Sequence, residues 1–394
     1  MRLTIAREIE IPDPIKLDRY RRLPELGPRL LFFSGGSALY DTSRALLKFT
    51  HNSIHVVTPF DSGGSSAKLR EEFGMLAIGD VRHRLMALAD QSYHGNPEIF
   101  ALFGYRLPDD LRRDALVEIL DRMASGKHPL VARIPDPMRK LIRNYLRRFR
   151  SYASEKFDLR GASIGNLVLA AGYMDNRRHL DPVVFLFSKL VEVRGVVRPV
   201  VNKSCHLRVS LEDGTVIDGQ HRFTGKKTPK ISSKIVDIRL VTADGEASEV
   251  SIRRKTAELI KSAELICYPM GSFYSSLVAT MLPQGVAAAI SRNGCPKVFI
   301  PNTGNDPECF GMSLSDQVET LCHYLKRDLP DPFDLRDVLN FVLLDDEQHR
   351  YTGRLSAKKL ERDGIQILRC PLVTKKTHPL IDAERLIPVL LSLC

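Results

Sequence analysis

FFSGGSALYDTSRALLKF, residues 32–49, is the stretch on which the fold turns. An apolar run ends in Ser34-Gly35-Gly36-Ser37, and a helical pattern starts at once, with Leu39, Leu46 and Leu47 available for one face. Upstream, RLLFF (29–33) reads as a buried strand. Downstream, SIHVVTPF (53–60) is β-branched and reads as a second strand, and DSGGSSAKLREEFG (61–74) gives another acidic, glycine-rich turn and helical start. Strand, glycine turn, helix, strand and glycine turn in succession predict the opening of a parallel, doubly wound α/β sheet of Rossmann-like type. The first turn has two readings: a phosphate-facing loop, or a tight corner that needs two glycines.

The remaining chain fits around this frame. Residues 1–28 are polar and proline-containing and read as an N-terminal arm, leaving 29–394 as the main domain. VRHRLMALAD (81–90) is an amphipathic helix, and a helical, basic insertion follows over about 91–155. Within it, RKLIRNYLRRFRSY (139–152) places Leu141, Ile142, Tyr145, Leu146 and Phe149 on one face and Arg143, Arg147 and Arg148 mostly on the other. GASIGNLVLAAGYM (161–174) reads as a glycine turn and buried helix. A small β-rich subdomain is expected over about 196–250, with a hairpin signal at Asp213-Gly214. Strand–loop–helix units then begin at AELICYPMGSFYSS and KVFIPNTGNDPECFG, and FVLLDD and GIQILRCPLV are the last strands.

A chain of 394 residues with 43% apolar content can bury a large core. Its start, MRLTIAREIEIPDPIK, lacks the apolar core of a signal peptide, and no segment reaches the roughly 18–20 apolar residues that span a bilayer. The seven cysteines are scattered and never form a CxxC pair, which predicts reduced thiols in a cytoplasmic protein without a structural zinc site. The net charge of +11 attracts anionic partners but does not choose among nucleotides, phosphorylated metabolites, nucleic acid or acidic lipid.

Four strand-ending loops share a composition: Ser34–Ser37, Asp61–Ser66, Met270–Ser276 and Asn302–Gly311. In a parallel sheet such loops leave one edge, where backbone N–H groups and helix N-termini meet anionic ligands. Ser34, Gly35, Gly36, Ser37, Gly63, Gly64, Ser65 and Ser66 are therefore candidate phosphate contacts. Neither a G-x-G-x-x-G fingerprint nor a Walker A ending is present, and no His-Asp pair marks a dehydrogenase. Asp61 opens a glycine turn and can meet a ribose hydroxyl, hold Mg²⁺ or orient a nucleophilic hydroxyl. Asp80, just before a helix, can cap it, face the site, or do both. His83 and His221 read as structural histidines.

SGGSALYDTSRAL, VVTPFDSGGSSAKLREEF, AIGDVRHRLMALAD, GASIGNLVLAA, YPMGSFYSSLVATMLPQGV and VFIPNTGNDPECFGMSLSDQVETLCHYL occur in an order that resembles the 2-phospho-L-lactate transferase (CofD) family. The likeness is to its YvcK-like, gluconeogenesis-factor branch, and it covers roughly residues 29–90 and 160–345. It implies a Rossmann-like homodimer. One branch transfers a phospholactyl group from a guanosine-diphosphate-linked donor to a deazaflavin hydroxyl with Mg²⁺; the other is associated with uridine-diphosphate sugars and metabolic regulation. By resemblance, Ser163, Asn166, Gly271, Ser272 and Asn302 lie near the base and phosphates, and Tyr274 and Ser276 remain available beside them. Asp61 and Asp80 lie near the acceptor or the metal.

The sequence departs from the family pattern at four places. Ser34 and Ala38 replace glycines, Phe60-Asp61 stands where two aspartates are usual, and Met270 interrupts a Pro-Gly step. Two functions are therefore expected as alternatives. The first is a transferase moving a phosphate-linked group to an acceptor hydroxyl; the second is a non-catalytic nucleotide-sugar-binding regulator. The basic helix 139–150 reads as a solvated face or subunit contact rather than a nucleic-acid site, and no membrane partner is expected.

Overall fold

A computed structural model describes residues 8–92, 95–225, 229–353 and 355–394. Its centre is the strand β1 (Leu30–Ser34), all five residues of which are buried. Alternate side chains enter different cores: Leu31 and Phe33 pack on one side, Leu30 and Phe32 on the other. An apolar run buried on both faces is what a parallel sheet covered by two helical layers requires.

Beside β1 lies β2 (Ile54–Val57), and beside β2 lies β3 (Val196–Pro199). On the other side come β7 (Leu265–Tyr268), β8 (Lys297–Phe299), β9 (Phe341–Asp345) and β10 (Gln366–Cys370). The order is β10-β9-β8-β7-β1-β2-β3, with every pairing parallel. A separate antiparallel sheet is ordered β5 (Val216–Asp218), β4 (His206–Leu211), β6 (Ile235–Val241). Gly214, at φ +85°, closes the β4–β5 hairpin by donating to Leu211. The β-rich stretch expected from residue 196 onward thus divides: Val196–Pro199 is the edge of the main sheet, and the small sheet begins at His206. Residues 226–228, within the same stretch, lie outside the described residues.

The inserted region holds helices Pro97–Gly104, Arg113–Ser125 and Met138–Tyr152, which share a core with helices Ile164–Asp175 and Asp181–Leu190. The basic helix buries Ile142, Leu146 and Phe149, and Arg148 and Arg150 pair with Asp175 (2.7 Å) and Asp121 (3.0 Å). Residues 93 and 94 lie outside the described part. Of the N-terminal stretch, residues 1–7 are likewise outside. Pro14–Arg22 is helical, and Lys16 Nζ donates to the carbonyls of Ser392 (3.0 Å), at the end of helix Ala383–Ser392, and Cys394 (2.5 Å) beyond it. All seven cysteines are free thiols, and among the described residues no helix is long and apolar enough to cross a membrane.

Candidate functional site at the switch point

The chain winds outward from β1 to β2 and β3, then returns to place β7 on β1's other flank. The loops leaving β1 and β7 therefore diverge, and a crevice opens between them at the carboxyl edge, where doubly wound sheets bind ligands. A cavity of about 450 Å³ fills this crevice. It is lined by Ser34, Gly35, Gly36 and Ser37 after β1, and by Asp61, Gly63, Gly64, Ser65 and Ser66 after β2. Asp80, Asn166, Gly271, Ser272 and Ser276 complete the set of sequence-predicted residues that meet there.

The glycines after β1 answer to close approach. A Cβ on Gly36 would collide with the Asp80 carboxylate, and one on Gly35 would stand 2.5 Å from Ser276 Oγ. Neither glycine has the positive φ that would demand the residue for its backbone alone. Asp80 is not the helix cap: it lies in the first turn of helix Gly79–Ala87, behind Ile78. From the next turn of that helix, Arg84, fully buried, reaches under the loop. It donates to the carbonyls of Leu39 (2.9 Å) and Gly35 (3.0 Å) and to Ser43 Oγ. An arginine so placed holds the carbonyls inward. Among the described residues, the N–H groups of Gly36, Ser37 and Ala38 make no hydrogen bond with the protein.

After β2, Asp61 Oδ1 accepts from Gly63 N–H at 3.0 Å, turning the chain into helix Gly64–Phe73. Phe60 is buried in the core, so the residue before Asp61 offers nothing to the cavity. Ser62, which follows, accepts from His221 N–H at 3.1 Å and lies 2.8 Å from His221 Nδ1. His221 comes from the short helix Gln220–Phe223, and it lines the cavity with Gln220. Asn166, on helix Ile164–Asp175, donates to Ser65 Oγ at 2.8 Å, while its own carbonyl oxygen is buried without a partner.

The loop after β7 is already occupied by protein acceptors. Gly271 N–H donates to Asn302 Oδ1 (2.9 Å), Phe273 N–H to Asp306 (2.7 Å), and the N–H groups of Tyr274 and Ser275 to Glu308 (2.9 and 2.7 Å). Asn302 thus takes the Gly271 N–H, whereas among the described residues the N–H of Ser272 makes no hydrogen bond with the protein. Asn302 holds the loop and does not line the cavity. Ser163 and Tyr274 are also displaced from it: Ser163 Oγ donates to Phe103 O, and Tyr274 Oη to Ile235 O. Both are buried in the core, Ser163 as the residue before helix Ile164–Asp175.

Sequence reading missed the cationic wall. Arg82 and Arg106 line the cavity, as does His83, which reads as structural from sequence. Burial, then Arg106, lowers the Arg82 guanidinium to about 10, while Asp80 acts to raise it. Burial lowers Arg84 likewise to about 10, again opposed by Asp80. Burial and the charges of Arg82, Arg106 and Arg84 lower His83 to about 4, so its imidazole is neutral at pH 7. The available signal was the pair Arg82 and Arg84 on the helix that carries Asp80, since buried arginines require acceptors.

Asp61 and Asp80 are the carboxylates facing this space, and among the described residues no group of three or more acidic, His or Cys side chains gathers to hold a metal. One or two carboxylates fit Mg²⁺ when ligand phosphates and water supply the remaining oxygens.

Comparison with known proteins agrees with this architecture. A solved protein of Bacillus halodurans, described as a member of the UPF0052 family, superposes with a TM-score of 0.67 at 23% identity, covering 93% of this chain and 99% of that one. The gluconeogenesis factor of Bacillus subtilis is 25% identical over 358 residues, 89% of this chain and 92% of that protein. A Nostoc relative is 30% identical over 303 residues, 77% of this chain, which spans only 53% of that protein's length. The family described as 2-phospho-L-lactate transferase CofD matches residues 30–376. With that match spanning most of its length, the chain belongs to the CofD family.

Proposed function

We propose that the cavity binds a nucleotide-diphosphate-linked small molecule and transfers its phosphate-linked group to an acceptor hydroxyl. The observation that carries this reading is the meeting of two glycine turns and two carboxylates, Asp61 and Asp80, around one crevice at the switch point. The N–H groups of Gly36, Ser37 and Ala38, with the first turn of helix Gly64–Phe73, provide donors for phosphate oxygens. The net charge of +11 draws the anion in.

In this reading Asp61 accepts the proton of the acceptor hydroxyl through Oδ2, since Oδ1 is held by Gly63 N–H. Asp80, packed against the glycine turn, sets the position of the transferred group. When Mg²⁺ is bound, Asp61 and Asp80 would hold it, and its charge would offset that developing on the phosphate. The CofD family membership supports transfer of a phosphate-linked group, and the guanosine or uridine nucleotide is what the resemblance of the sequence implies.

A second reading is favoured by Asp80, whose charge is shared with the buried guanidinium groups of Arg82 and Arg84. The positive field of those guanidinium groups opposes a cation at Asp80 and leaves Asp61 as the carboxylate more open to a metal, which suits a sensor of nucleotide sugars that binds without turnover. Incubation with guanosine- and uridine-diphosphate-linked donors and candidate hydroxyl acceptors separates the two. Release of a nucleoside monophosphate, abolished in Asp61→Asn, is the transferase outcome; saturable binding without product is the sensor outcome.

A further inference from the structure

Arg82 is the residue that the proposed reaction leaves over. It is 5% exposed, yet among the described residues its guanidinium makes no hydrogen bond or ion pair, and its Nε is buried with no partner. A buried arginine in that condition is costly unless a ligand supplies the acceptors. Its side chain crosses helix Ile164–Asp175 at Gly165, where an added Cβ would stand 2.9 Å from Arg82 Cδ and 2.8 Å from Phe103 O. The next residue, Asn166, is 2% exposed and carries the unpartnered carbonyl oxygen. Arg106, exposed, stands on the same side, paired through its backbone with Ser163. Arg82, Arg106 and Asn166 all line the cavity.

We infer that Arg82, Arg106 and Asn166 form a second anchor, which takes an oxyanion carrying a hydroxyl group, on the cavity wall that faces the glycine turns. Two orphaned groups of opposite character define it. Arg82, backed by Arg106, demands a carboxylate or phosphate oxygen; the Asn166 carbonyl demands a donor. A bare diphosphate satisfies the first and not the second, whereas a hydroxylated phosphomonoester or hydroxy acid satisfies both. The neutral state of His83 beside them fits a wall whose positive charge is already concentrated in the arginines. The anchor does not rest on the nucleotide reading.

Calorimetric titration of the full chain with glycerol 3-phosphate, with glycerate, and separately with UDP and GDP tests this. Wild-type protein is expected to bind at least one of the two small probes, and the one preferred identifies phosphate or carboxylate. Arg82→Gln is expected to weaken that probe by about tenfold or more while changing nucleotide affinity less than about twofold. Gly36→Ala is expected to do the reverse. Because Arg82 is buried, Arg106→Gln, at an exposed position, and Asn166→Asp provide further variants; each is expected to weaken the probe, the second by placing a negative charge beside the anion. Failure of both probes to bind wild-type protein overturns the anchor, as does unchanged probe affinity in the folded variants. If the probe binds in an Arg82-dependent manner and neither nucleotide binds, the anchor stands and the nucleotide reading falls.

Discussion

Gly36 is required by its surroundings rather than by its own backbone conformation. In sequence, the two glycines after β1 have a backbone reading and a phosphate reading; the structure adds a steric one, since Asp80 occupies the space of the missing Cβ. Gly36→Ala must push that carboxylate or the turn aside. It is expected to cost about 1–3 kcal/mol of stability by overpacking, read from denaturant unfolding. His83 gives a pH signature at the same scale. Its ordinary value of 6.5 falls to about 4 in the folded protein. Between those values the unfolded chain binds a proton that the folded protein refuses, so stability falls as pH drops from about 6.5 toward 4. His83→Gln is expected to flatten that part of the profile, recovering on the order of 1–2 kcal/mol at acid pH after allowance for solvent screening. An unchanged slope of melting temperature against pH would count against the assigned burial.

Among the elements, the loop after β7 is the one whose chemistry was least legible. Gly271, Ser272 and Ser276 stand out in the sequence as small residues, and all three do line the cavity. That Asn302, Asp306 and Glu308 take the N–H groups of Gly271, Phe273, Tyr274 and Ser275 depends on β8 lying beside β7, a tertiary fact no local pattern carries. Glu308 is fully buried, and burial with the neighbouring Asp306 pushes its carboxyl upward against the stabilising bonds from Ser275 and Tyr274. Glu308→Ala would leave the N–H groups of Tyr274 and Ser275 unpaired in the core. A loss of about 2–4 kcal/mol in unfolding free energy is expected, with Glu308→Gln recovering part of it. By contrast, the parallel strands and their order of glycine turns were readable, because buried β-branched runs and strand-ending glycines are local signals. The edge strand Val196–Pro199 was not, since short runs show no preference for one sheet over another.

For the whole molecule, the doubly wound topology brings the turns after β1, β2 and β7 to one edge and the helical region supplies the opposite wall. Periodicity can reveal the first half of that arrangement. The second half, Arg82, Arg106 and Asn166 facing the turns, arises from packing between segments far apart in the chain. A net charge of +11 and this cationic wall predict that anionic ligands bind more weakly as salt rises, with association rates falling more steeply than dissociation rates increase. Stopped-flow titration across ionic strength checks this, and salt-independent association would remove the field from the account. The central claim, that the switch-point crevice is a nucleotide-diphosphate site, is met most directly by calorimetric titration of wild-type and Gly36→Ala protein with UDP and GDP. Saturable binding of at least one nucleotide to the wild type is expected, with an affinity lower by about tenfold or more in the variant. Absence of binding to folded wild-type protein, or equal affinity in the folded variant, would contradict it.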